Sequence, residues 1–154
     1  MPGSTDHSDP SATCPFCAII RGEAAAATVL ETEHLLAFLD IRPLFRGHTL
    51  LAPKTHLRLL SDLPAGLAAE FLTTAQRLER AVEDGLAAAG SMILVNNVIS
   101  QSVPHLHLHV IPRNPKDGLR FWLGPRHPYD SAGQAEEYAA RIRAALPAVS
   151  AGSA

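Results

Sequence analysis

Residues Gln101 to Arg113 read QSVPHLHLHVIPR. Three of the chain's eight histidines, His105, His107 and His109, alternate there with Leu106, Leu108 and Val110. Side chains on a β-strand point to opposite faces with period two, so the spacing predicts a strand with three imidazoles on one face and aliphatic residues on the other. A helix would scatter the same residues around its circumference. Val, Ile and Leu suit a half-buried strand. Pro104 fits just before it, where no ladder donor is required, and Pro112 closes it. Each buried ring nitrogen needs a partner. Such a row is therefore a solvated face, a structural metal site, or a catalytic row in which one neutral imidazole attacks while its neighbours orient it or serve the leaving group.

A chain of 154 residues is one domain of ordinary size with room for a single core. Its 47% apolar and 18% charged residues place it in the globular class. A net charge of −2 gives no global basic field for nucleic acid or anionic membrane, so local groups must hold any anionic ligand. Residues 1–12, MPGSTDHSDPSA, are polar and aperiodic and read as a disordered tail. They lack the basic and apolar regions of a secretory signal. No apolar run approaches the roughly 18 residues that span a bilayer. The expectation is a cytoplasmic protein without nucleic-acid or membrane partners: a domain over 13–147 and a frayed tail over 148–154.

Cys14 and Cys17 are the only cysteines, in C-x₂-C spacing. They read as half of a zinc site, as a redox pair, or simply as the opening of a short helix through Ile20. Val29 and Leu30 suit a first strand, Leu35 to Leu39 a second, and Thr49 to Ala52 a third after an Arg46-Gly47 turn. Short loops between them favour antiparallel pairing. Leu63 to Ala89 carries Leu67, Phe71, Leu78, Val82 and Leu86 at helical spacing. Ser61 or Asp62 is the expected cap, Gly85 or Gly90 the expected end, with a kink near Gly85. Met92 to Val95 is a strand, and Gln134 to Leu146 a last amphipathic helix.

His105-Leu-His107-Leu-His109-Val-Ile111 resembles, at all seven positions, the signature of the histidine triad superfamily. CPFCAII, LDIRP and RGHTLLAPKTH resemble further parts of that family, and the likeness spans about Cys14 to Trp122. It implies an α+β fold, a five-stranded antiparallel sheet with helices on one side, paired into a homodimer. By the same resemblance Asp40 meets the ribose hydroxyls and Ile41 the base. His48 sits beside the triad, and Gln101 and Ser102 contact phosphate oxygens and the leaving group. Asn96 or Asn97 takes a ribose-side role. Zinc-bearing members imply a site of Cys14, Cys17, His56 and His105, closed and structural. One departure is the loop Asn97-Val98-Ile99-Ser100, shorter than usual and without glycine, which leaves Val98 and Ile99 to narrow the pocket.

The implied activity is hydrolysis of nucleoside 5′-phosphate derivatives, purine nucleoside phosphoramidates or dinucleoside polyphosphates. His107 is the nucleophile, His109 serves the leaving group, and no organic cofactor is expected. A catalytic metal on the triad, a nucleotide-binding interaction module with little turnover, and a transferase or phosphorylase stand as alternatives. Arg113, Lys116, Arg120 and Arg126, with Phe121 and Trp122 among them, suggest a segment that holds extra phosphates and stacks a second base.

Overall fold

The structure, a computed structural model, describes residues 10–119 and 126–147. The chain divides into two units, one ending at Asp117 and one beginning at Gly118. In the first, five antiparallel strands form one sheet: β1 (Thr28–Glu31), β2 (Leu35–Leu39), β3 (Thr49–Pro53), β4 (Gly90–Val95) and β5 (Leu108–Arg113). Their order across the sheet is β1-β2-β3-β5-β4, so the triad segment feeds an interior strand.

Alternation along the strands sorts the two faces. Leu35, Ala37, Leu51, Leu106, Leu108 and Val110 pack under the long helix α2 (Ala65–Leu86), which contributes Phe71, Ala75, Leu78 and Val82. Leu36, Phe38, Leu50 and Ala52 pack instead with Cys14, Phe16 and Cys17 of the short helix α1 (Pro15–Ile20) and its cap. The long helix therefore lies on one face, while α1 is on the other, beside the histidines.

Regular pairing of the triad strand starts later than the alternation suggests. β3 pairs with β5 only over Leu108 to Val110. Upstream, the Leu106 amide donates to the Leu57 carbonyl at 2.6 Å and the His105 amide to the Val103 carbonyl at 2.8 Å. The chain bends at His105, yet the faces still alternate: Leu106, Leu108 and Val110 pack in the α2 core, while His107 meets Phe16 on the other face. Pro112 lies inside β5 opposite Ser91, past the point where β3 pairs, which is how an interior strand tolerates it.

The ends of α2 also differ from expectation. Its N-cap is Pro64, with no side-chain cap. Asp62 instead accepts from the Leu59 amide at 2.8 Å and closes a 3-10 turn over Leu60–Asp62. The helix runs through Gly85 and ends at Ala87, which takes the left-handed conformation (φ 51°) usually left to glycine. Gly47 is required where it stands: its φ is +93°, and a Cβ there would meet Leu86 Cδ1 at 2.2 Å. In the second unit, α3 (Ala132–Ala145) is capped by Ser131 Oγ, which accepts from the Gln134 amide at 3.1 Å. Among the described residues no helix is long and apolar enough to cross a membrane.

Candidate active site

His105 is fully buried and uses both ring nitrogens. Nε2 donates to the Pro53 carbonyl at 2.8 Å. With the proton there, Nδ1 carries the lone pair, and it lies 3.5 Å from Cys14 Sγ and 3.6 Å from Cys17 Sγ. Cys17 Sγ is also 3.3 Å from His56 Nδ1. All four donor atoms fall within 4.8 Å of one another. A tetrahedral zinc with bonds of about 2.3 Å to sulfur and 2.0–2.1 Å to nitrogen has sulfur–nitrogen edges of about 3.5 Å. The donor set Cys14, Cys17, His56 and His105 fits that ion in chemistry and spacing.

The next ring is fixed from the backbone. His107 Nδ1 donates to the His105 carbonyl at 2.6 Å, which leaves Nε2 unprotonated. Phe16 meets the ring edge-on at 5.1 Å between centroids. Burial holds His107 below the ordinary imidazole range and so neutral at pH 7.

A second chain of hydrogen bonds fixes His109. The Leu44 amide donates to His48 Nδ1 at 3.2 Å, so His48 carries its proton on Nε2. That nitrogen is 2.9 Å from His109 Nδ1, which must accept, and the proton of His109 is then on Nε2. His109 Nε2 is buried with no partner among the described residues. A buried N–H donor without an acceptor is costly, and an incoming ligand atom would relieve it. Burial, then the neighbouring His107 and His48, push His109 down to about 4. His48 is lowered too, chiefly by burial, with the Asp40 carboxylate opposing. Asp40 Oδ2 is 3.7 Å from His48 Nδ1. Asp40, His48 and His109 are close enough to suggest a second metal cluster. Both nitrogens of His48 are already committed, however, and the trio is better built to hold protons.

These rings open onto a cleft of 680 Å³. Asp40, Ile41, Ser102, His107 and His109 line it, as does Arg42. Ile41 projects at its lip, 93% exposed. The remaining wall is apolar: Phe16, Ile19, Phe38, Leu50, Val103 and the run Ala24 to Ala27. Sequence reasoning missed this wall, Phe16 above all. The signal was available, because Phe16 lies between two cysteines that resemblance paired with His105.

Three residues expected at the nucleotide are not among those lining the cleft. Gln101 accepts from the Val98 amide at 3.2 Å and donates to the Arg58 carbonyl at 2.7 Å. Asn97 Oδ1 accepts from the Leu60 amide at 3.0 Å. Both tie the loop to the segment before α2, and Asn96 is likewise outside the wall. Val98 and Ile99 do not narrow the pocket; they are 55% and 80% exposed. Without glycine, Val98 and Ser100 turn the loop at φ 64° and 62°, a strained choice for a β-branched residue. In the segment after the triad, Arg113 makes a two-pronged ion pair with Asp117. Arg126 belongs to the second unit, and Arg120, Phe121 and Trp122 lie outside the described residues.

Comparison with known proteins converges on one family. The family model described as HIT domain matches residues 21–116. An adenosine 5′-monophosphoramidase of Saccharomyces cerevisiae is 36% identical over 127 residues, covering 80% of this chain and 78% of the yeast protein. The crystal structure of a HIT family member from Bacillus subtilis superposes with a TM-score of 0.80 at 35% identity, covering 88% of this chain and 98% of that one. A zinc-bound histidine triad family protein from Mycobacterium smegmatis is 40% identical with a TM-score of 0.67, covering 88% and 99%. The five-stranded sheet, the alternating histidines that lead into its interior strand and these likenesses together say that the chain belongs to the HIT domain family.

Proposed function

We propose that this chain is a hydrolase of nucleoside 5′-phosphate derivatives, purine nucleoside phosphoramidates or dinucleoside polyphosphates, acting through a nucleotidyl-histidine intermediate on His107. The observation that carries this reading is the 2.6 Å bond from His107 Nδ1 to the His105 carbonyl, which leaves a neutral nucleophilic Nε2 on a ring lining the cleft. Asp40 and Ile41 hold the ribose and base, and Ser102 stabilises charge on the phosphoryl oxygens. Gln101, Asn96 and Asn97 act by shaping the loop that presents Ser102.

The proton count assigns work to His48 and His109. An anionic α-phosphate offsets the burial that keeps this pair neutral, and one proton adds at His48 Nδ1, which gives up the Leu44 amide and turns to the Asp40 carboxylate 3.7 Å away. His107 Nε2 then bonds to phosphorus as the bond to the leaving atom breaks. His109 gives its Nε2 proton to that atom and receives at Nδ1 the proton of His48 Nε2. In the second half, water attacks phosphorus, its proton returns to His109 Nε2, and the relay runs back. His107 is released with the mononucleotide.

Cys14, Cys17, His56 and His105 would hold zinc, which when bound supplies a structural cross-link between α1 and the triad strand and no chemistry at the phosphate. The yeast phosphoramidase and the zinc-bound mycobacterial structure support both parts of the reading. We further propose a cytoplasmic homodimer. Edge strand β4, with Ile93 43% exposed, and Leu72 of α2, 60% exposed, offer an apolar face for a second copy.

Rapid quench of an activated nucleotide substrate under alkaline conditions, followed by peptide mass spectrometry, tests the covalent step. A mononucleotide adduct on the peptide containing His107 is expected. A His107→Ala protein that keeps near-normal turnover on non-activated substrates would overturn it.

A further inference from the structure

The leaving group is the part of the substrate on which the cleft is least symmetrical in charge. Among the described residues its one carboxylate, Asp40, stands beside the His48–His109 pair, so a departing anion meets a negative charge as it separates. Arg42 is the one Lys or Arg among the described residues lining the cleft, and its guanidinium carries no ion pair among them. Its backbone is anchored to the same cluster, since the Arg42 amide donates to Asp40 Oδ1 at 2.8 Å. The other oxygen of Asp40 faces His48, and His48 holds His109. Arg42 is thus rooted two residues from the group that ends at the leaving-group donor, and it is an exposed residue of the cleft lining. Arg113 is engaged with Asp117, and neither it nor Lys116 lines the cleft.

We infer that Arg42 sets the class of leaving group: its guanidinium receives a multivalent oxyanion, such as sulfate or the phosphate tail of a second nucleotide, and biases the chain toward substrates that release one. This rests on the hydrolase reading above. A planar guanidinium fork matches two oxygens of a sulfate or phosphate, and it offsets Asp40 as charge develops on the departing group. An amine leaves without negative charge and gains nothing from it.

The test uses the full chain and three substrates that share the adenylyl group: adenosine phosphoramidate, adenosine 5′-phosphosulfate and diadenosine tetraphosphate. Arg42→Ala should lower kcat/KM for the two anion-releasing substrates about tenfold or more relative to the phosphoramidate, as loss of one charge-assisted contact would. Arg42→Lys should recover part of that ratio. Raising the salt concentration should erode the ratio in the wild type and leave it flat in Arg42→Ala, a dependence that a structural role would not produce. An equal loss on all three substrates would mean that Arg42 serves the shared nucleoside, and an unchanged ratio that it serves nothing here; either overturns the assignment alone. No turnover of any of the three by wild type would remove the hydrolase reading, and the assignment with it.

Discussion

His48 Nε2 sits 2.9 Å from His109 Nδ1, although 61 residues separate them in the chain. The bond exists because β3 and β5 are neighbours, with Leu50 opposite His109 and Thr49 opposite Val110. It fixes which nitrogen of His109 carries the proton, and that nitrogen is the buried Nε2 without a partner among the described residues. His48 therefore acts through His109.

Replacing His48 with Ala removes the donor and lets His109 adopt the other tautomer. Turnover of substrates with poor leaving groups should fall by about 10²-fold, within the range for general acid catalysis. Activated substrates should lose far less, because they need little protonation. Steady-state kinetics on an aryl-activated and a non-activated substrate would check this. Equal losses on both would mean that His48 only supports packing.

The pH dependence of stability follows from His109. Its folded value is pushed down to about 4, mainly by burial, against about 6.5 when unfolded. Between those values the unfolded chain binds the extra proton and the folded chain does not. Stability should then fall as the pH drops from about 6.5 to about 4, with no further loss from this group below that. Melting temperatures measured across pH 7 to 4 should decline more steeply for the wild type than for His109→Gln. Parallel curves would show that the ring is not held neutral by the fold.

The triad's chemistry was legible because the alternation of faces persists from Leu106 to Val110, although regular strand begins only at Leu108 and the chain bends at His105. Asp40, Ile41, His48 and Ser102 were legible only through resemblance, since each alone is an ordinary turn, core or surface residue. Capping of α2 was not legible. Ser61 and Asp62 both fit an N-cap by type, and only the tertiary course of the chain assigns Asp62 to the 3-10 turn and leaves Pro64 at the helix start. The apolar cleft wall was illegible for a similar reason. Ala24 to Ala27 carry no periodicity, and nothing local says that α1 lies on the histidine face of the sheet.

The four-donor cluster predicts about one zinc per chain in protein purified without added metal. Elemental analysis would count it. Cys17→Ser should lower the melting temperature more than it lowers turnover per folded molecule, because the donors tie α1 to the triad strand and leave the cleft rings in place. A metal-free wild-type protein with the same melting temperature as the loaded one would remove zinc from the account.

Phe16 separates packing from positioning. It is 8% exposed, lies between the two cysteines, and meets the rings of Phe38 and His107 edge-on at 5.2 Å and 5.1 Å. Truncation to Ala empties a site shared by α1, the sheet and the nucleophile, and should cost about 3 kcal/mol in chemical denaturation. Phe16→Leu keeps most of the volume and should cost less than about 1.5 kcal/mol. The Leu variant still loses the flat edge that holds the His107 ring, so its kcat should drop several-fold while KM changes less, because Leu keeps the wall apolar and Asp40 and Ile41 are untouched. A Leu variant with wild-type kcat would show that the bond from His107 Nδ1 to the His105 carbonyl orients the nucleophile unaided, and that Phe16 contributes only to the core.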